Sequence, residues 1–124
     1  MSYDRDGFST HLNAAAKKVI ADNTILAAGG YLKQLAVFNP NTSKAFIQIY
    51  DESGDITVGT TTPKITLHVP HNDSTSDGVL LINFDIELGL PFGNTIKYAC
   101  TTAAAGATAV TTGLIVNAIY HAGG

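Results

Sequence analysis

The sequence predicts an all-β domain, a jelly-roll-like two-sheet β-sandwich with an N-terminal arm. Three observations carry that reading. From about residue 31 onward apolar and polar side chains alternate with a period of two, the repeat of a strand that buries one face. Turn formers interrupt the alternation at short intervals, at Asn39-Pro40-Asn41, Ser53-Gly54-Asp55, Pro70-His71-Asn72-Asp73 and Leu90-Pro91-Phe92-Gly93-Asn94. The 124 residues suffice for one core and about eight or nine such strands, the complement of a two-sheet jelly roll.

The opening residues 1–16 show no strand pattern and are read as an arm, leaving 17–124 as the sandwich domain. Residues 10–21 also admit a short helix, with Thr10 as cap and Leu12, Ala15, Ala16, Val19 and Ile20 on one stripe. Segments 17–21 and 24–28 are candidates for the first strands. In 44–51, Ala45, Ile47 and Ile49 form one face and Phe46, Gln48 and Tyr50 the other. Residues 64–69 set Ile65, Leu67 and Val69 against Lys64, Thr66 and His68. Residues 80–88 set Leu80, Ile82, Phe84, Ile86 and Leu88 against Leu81, Asn83, Asp85 and Glu87. In 95–101, Ile96, Tyr98 and Cys100 oppose Lys97, Ala99 and Thr101. The last strand, 113–121, is apolar on both faces, with Leu114 and Val116 on one and Ile115 and Ile119 on the other. Such a strand is central to a sheet whose outer face is covered, within the chain or by another subunit. The polar stretch 70–78 reads as a surface loop. The small-sided stretch 101–113 reads as a long connection able to lie flat against another backbone.

Charged residues make up 14% of the chain, against about 25% in an ordinary soluble domain, and the net charge is −3. That balance supplies no basic footprint for a phosphate backbone, so nucleic acid is not an expected partner. The single Cys100 excludes an internal disulfide framework and a cysteine-rich zinc site. No apolar run approaches the roughly 18–20 residues of a membrane span, and the polar start does not resemble an export signal. Charged side chains keep small proteins apart, whereas interface cores are poor in them. A chain this short of charge is therefore expected to associate with itself or to dock on a larger body.

Chemistry is sparse. Asp85 and Glu87 share a strand face, but two carboxylates there read as a solvated outer surface. Asp51-Glu52-Ser53-Gly54-Asp55 lacks the spacing of a calcium loop. His68 and His71 lie three apart across Pro70, with His11 and His121 distant in sequence, and zinc needs three or four converging ligands. No Gly-x-Ser-x-Gly elbow is present, and no Gly-Lys-Ser/Thr follows the Gly59 turn. The expectation is no enzyme, with no catalytic residue, cofactor or metal. Aromatic and apolar positions are the better guide to contacts. Tyr3, Arg5 and Phe8 in the arm, Phe46 and Tyr50 on one strand face, His71 in the polar loop, and Ile115 and Ile119 on the last strand are the candidate interface residues.

The block Leu32 to Val69 carries a resemblance. An apolar strand leads to Asn39-Pro40-Asn41-Thr42-Ser43, then Ala45-Phe46-Ile47-Gln48-Ile49-Tyr50-Asp51. Val58-Gly59-Thr60-Thr61-Thr62-Pro63 and Ile65-Thr66-Leu67-His68-Val69-Pro70 follow. This resembles a family of small virion proteins of tailed bacteriophages, and the ending Leu114-Ile115-Val116-Asn117-Ala118-Ile119-Tyr120 is similar as well. The likeness spans about residues 31–121, and the Gly-Thr-Thr-Thr-Pro piece is its most specific part. It implies a capsid cement, or decoration, protein that forms a homotrimer on the outer surface of the virion and bridges capsomers of the major capsid protein. It implies no catalytic residues. The polar arm and the 70–78 loop depart from the pattern. A neck, tail or fibre-base component and a carbohydrate-binding β-sandwich module are the alternatives; the latter needs planar aromatics on an open face, and the chain has no Trp.

Overall fold

A computed structural model describes residues 5–12 as backbone and residues 24–85 and 88–122 in full. Among the described residues the chain is all-β, without a helix. Eleven strands follow in order: β1 (Arg5–Leu12), β2 (Thr24–Leu26), β3 (Gly30–Phe38), β4 (Ala45–Tyr50), β5 (Ile65–Val69), β6 (Asn72–Asp73), β7 (Ser76–Asp77), β8 (Val79–Asn83), β9 (Leu90–Phe92), β10 (Ile96–Thr101) and β11 (Ile115–Ala122).

Two antiparallel sheets face each other. The first runs β1-β11-β3-β8, with β9 also paired to β3; the second runs β2-β10-β4-β5. Apart from the short β6, β7 and β9, the first strand pairs with the last, β2 with β10, β3 with β8 and β4 with β5. One hydrophobic core fills the space between the sheets. Leu32, Leu35, Val37, Val116 and Ala118 come from the first sheet, and Ala45, Ile47, Ile49, Val69, Ile96, Tyr98 and Cys100 from the second. The alternation thus does what the sequence predicts. Ala45, Ile47 and Ile49 point inward from β4, Ile96, Tyr98 and Cys100 from β10, and Val116 from β11.

Several segments differ from the sequence reading. Residues 5–12 belong to a strand: β1 pairs with β11 from Arg5↔Ala122 to Leu12↔Ile115. Its sequence, Arg-Asp-Gly-Phe-Ser-Thr-His-Leu, has no apolar alternation, so the strand is set by the long edge that β11 offers rather than by its own pattern. The helical alternative for 10–21 fails at its start, because residues 10–12 lie in β1, and its remainder lies outside the described residues.

The strand expected over 80–88 ends at Asn83. Beyond the amide of Phe84, bonded to the Lys33 carbonyl at 2.9 Å, the chain leaves β3 and returns at Leu32↔Leu90. The three residues Leu90-Pro91-Phe92, read as a turn, therefore form β9 on the same partner. Among the described residues β9 pairs with β3 alone, and an edge strand tolerates Pro91. The polar loop 70–78 is folded back on itself as the small hairpin of β6 and β7.

A buried asparagine fastens one end of the sandwich. Asn39 has no exposed surface, and its Nδ2 donates to the carbonyls of Ser43 (3.0 Å) and Pro70 (3.1 Å). Its Oδ1 accepts from the backbone N–H and the side-chain amide of Asn41. Asn41 in turn pairs with Thr112 in both directions, at 2.8 and 2.9 Å. The buried Asn39 amide thereby has partners for its oxygen and its nitrogen, and the two amide side chains tie together three chain segments.

The same corner demands glycine at position 78. Gly78 has φ +69°, its carbonyl accepts from the Asn39 amide at 2.7 Å, and a Cβ on it would collide with the Asn39 carbonyl oxygen. Gly78→Ala should therefore lower unfolding stability by at least about 2 kcal/mol in denaturant titration. Gly54→Ala, where an added Cβ meets nothing within 4 Å, should change it by no more than about 0.5 kcal/mol.

Candidate docking surface

A sandwich of two sheets has two inner faces, which cover each other, and two outer faces, which need other cover if they are apolar. The outer face of the second sheet is covered by its own chain over Gln48, Tyr50, Ala99 and Thr101, while His68 at its β5 side is exposed. Tyr50 is completely buried and packs with Ile56, Val58 and Ala99, with Ala107 against them. The Tyr50 hydroxyl donates to Gln48 Oε1 at 2.6 Å. Gln48 Nε2 donates to Thr101 Oγ1 (2.9 Å) and to the Gly106 carbonyl (3.1 Å). Thr101 Oγ1 passes its proton on to the Ala103 carbonyl at 2.8 Å. Every polar atom of this strip thus has a partner, as burial requires.

Two connections form the lid. Residues 57–61 make a tight turn, with the amides of Thr60 and Thr61 both bonded to the Thr57 carbonyl. The second is the Ala-rich stretch before Ala107. At Gly59 (φ +91°) a Cβ would stand 2.9 Å from that of Ala107, so the two connections touch because both are small there. Small side chains in 101–113 let that segment lie flat, as the composition suggests, and what it lies against is its own sheet.

Asp51 closes the same side. Its carboxylate accepts from the amides of Gly93 (2.9 Å), Asn94 (2.7 Å) and Thr95 (3.3 Å). Burial alone would raise this carboxyl. The three amides and the Lys64 ammonium outweigh burial and hold it below the usual carboxylate range.

The outer face of the first sheet has no such cover among the described residues. β8 turns Val79 (55% exposed) and Leu81 (60%) outward and ends on exposed Asn83. Register places Val79 beside Phe38 and Phe38 beside Ile115, which is 38% exposed. The next rows are Leu81, Ala36 and Asn117, then Asn83, Gln34 and Ile119. None of these nine residues is ionisable. Completing the burial of Val79 or Leu81 would contribute about 1 kcal/mol each.

β8 also ends the sheet. Among the described residues nothing pairs with its other side, so it presents a free backbone edge over Val-Leu-Leu-Ile-Asn with none of the charges or prolines that usually protect one.

The candidate residues from the sequence fall into three groups. Ile115 and Ile119 lie on this open face, Ile115 exposed and Ile119 half-buried. Tyr50 is occupied by its own chain, and Phe46 on the same strand is half-buried, edge-on to His68 with ring centroids 5.4 Å apart. His71 is partly exposed beside the β6–β7 hairpin, its Nε2 3.2 Å from Asp73 Oδ2 and 3.3 Å from Thr75 Oγ1. In β1, Arg5 and Phe8 are register partners of Ala122 and Ile119, and Tyr3 lies outside the described residues. Asp85 is exposed beyond the end of β8, and Glu87 lies outside the described residues.

The sequence reading missed Phe38, Val79 and Leu81. The signal was present, because Val79-Leu80-Leu81-Ile82 is apolar on both faces, as the last strand is. Counting Leu81 with Asn83, Asp85 and Glu87 as one polar face hid it.

Other features offer little chemistry. Cys100 is buried in the core, where desolvation pushes its thiol well above the ordinary range. A concavity of about 650 Å³ is lined by Gly29, Gly30, Tyr31, Pro91, Phe92 and neighbours, with no carboxylate, imidazole, thiol or amine among its described lining residues. No group of three His, Cys, Asp or Glu able to hold a metal ion occurs among the described residues.

Asp51 gives a pH prediction with a definite sign. A carboxyl with a lowered folded pKa stabilises the protein above its unfolded pKa, near 4, and loses that contribution as pH falls through the lower folded value. Asp51→Asn should lower stability at pH 7 by about 1 kcal/mol. Its stability, followed by thermal melting from pH 6 to 2, should fall less steeply than that of the unaltered protein.

Searches of protein-family models, curated proteins and solved structures each return no significant match to this chain.

Proposed function

We propose that this chain is a structural protein of a tailed-bacteriophage virion: a capsid cement protein that trimerises and bridges capsomers of the major capsid protein on the outside of the head. The fold proposed for it is a jelly roll. The pairing of first strand with last, second with second-last and so inward supports that reading, because one long antiparallel ribbon rolled into two sheets gives that order. The observation that carries the functional reading is the open face of Phe38, Val79, Leu81 and Ile115 on a chain with few charges. An uncharged apolar sheet face beside an unprotected edge suits permanent cover by protein rather than by water.

The mechanism is mechanical and uses no catalysis, cofactor or metal. A head filled with mutually repelling genome is under outward load, and a clamp across neighbouring capsomers adds buried area where they would separate. One small contact is weak, whereas three linked copies bind with avidity. The features carrying the resemblance suit such a clamp. The Tyr50-Asp51 pair and the Gly59 turn rigidify the second sheet's outer side through buried packing and a three-amide clasp. Residues 1–16 remain the proposed reach toward a neighbour, and Arg5–Leu12 within them form β1.

The test is reconstitution. Purified protein added to expanded heads that lack it should co-sediment with them, saturate at three chains per junction, and raise the temperature at which they rupture. No co-sedimentation, together with absence of the chain from purified virions of its source, would refute the cement reading.

A further inference from the structure

Resting on the trimer of the reading above, we infer that the occupant of the open first-sheet face is a second copy of this chain, so that Phe38, Val79, Leu81 and Ile115 form the subunit contact and the shell is met elsewhere. Charge is the first argument. The chain is net −3, and each approach of two copies brings like charges together except over a neutral surface. The rows Val79–Phe38–Ile115, Leu81–Ala36–Asn117 and Asn83–Gln34–Ile119 form such a surface. Among the described carboxylates, Asp51, Glu52, Asp55 and Asp73 lie on other segments, Asp77 and Asp85 flank β8 outside these rows, and Asp6 stands in β1 beyond β11.

Self-complementarity is the second. The row that borders the apolar ones carries amides, Gln34 and Asn83, and an amide both donates and accepts. A surface of aliphatic groups edged by amides can therefore meet the same surface of neighbouring copies where three of them converge on an axis, without a complementary partner of opposite charge. The free edge of β8 is the third. It adjoins this face, is uncharged over all five residues, and is hidden when copies close around an axis.

Sedimentation velocity tests the inference on the full chain, with binding to heads measured in parallel. The unaltered protein and the apolar control Leu81→Met should sediment as trimers. Leu81→Asp and Ile115→Asp, at exposed positions, should sediment as monomers with unchanged far-ultraviolet dichroism. If either aspartate variant does not fold, Leu81→Asn should raise the trimer dissociation constant at least tenfold, and an unchanged constant overturns the inference. Variants that remain trimeric also overturn it. If those trimers no longer bind heads, the shell is the occupant and the cement function stands. An unaltered protein that is monomeric at micromolar concentration and does not bind heads removes both the inference and the function it rests on.

Discussion

The structure turns on a constraint of sheet geometry: two stacked sheets have four faces, and the described residues cover the two inner ones and, over β4 and β10, one outer one. The inner pair is the core. The third face is sealed by the chain's own connections, at the expense of burying Gln48, Thr101 and a tyrosine hydroxyl that then need mutual partners. The fourth carries Val79, Leu81 and Ile115 outward with nothing described above them. A chain with more Lys and Glu would make that face polar. Here the low charge and the bare face are the same fact at two levels, and the functional reading follows from it.

The two outer faces solve one problem differently. On the second sheet the solution is internal and rigid. Gln48 joins two strands and a connection through its single amide, and Asp51 ties the end of β4 to the turn before β10. Removing a partner from such a network leaves a buried polar group unsatisfied, so it resists remodelling. On the first sheet the contacts offered are aliphatic and amide groups, which commit to a neighbour without being ruined by its absence.

The parts of the fold visible in sequence were those written in period two. In β4, β10 and β11 the inward residues are the alternating apolar ones, because each strand has one face on the core. What escaped was determined by other strands. β1 has no pattern of its own and takes its place from the edge of β11, and β9, paired among the described residues with β3 alone, contains a proline that an edge strand tolerates. Tyr50 was legible as an outward residue but not as a covered one, since its cover comes from Ile56 and Val58 across a loop. The open face was half legible. Ile115 stood out within a two-sided apolar strand, whereas Leu81 was concealed among polar neighbours in sequence that leave the sheet after Asn83.

The most direct test of the covered-face account is thiol labelling of Leu81→Cys. The native Cys100 is buried with its thiol kept protonated, so it stays silent. The account predicts that a maleimide modifies Cys at position 81 many times more slowly in the native assembly than at the exposed control Ser53→Cys, and equally fast once the assembly is diluted apart. Equal rates at the two positions in the assembled protein would contradict it.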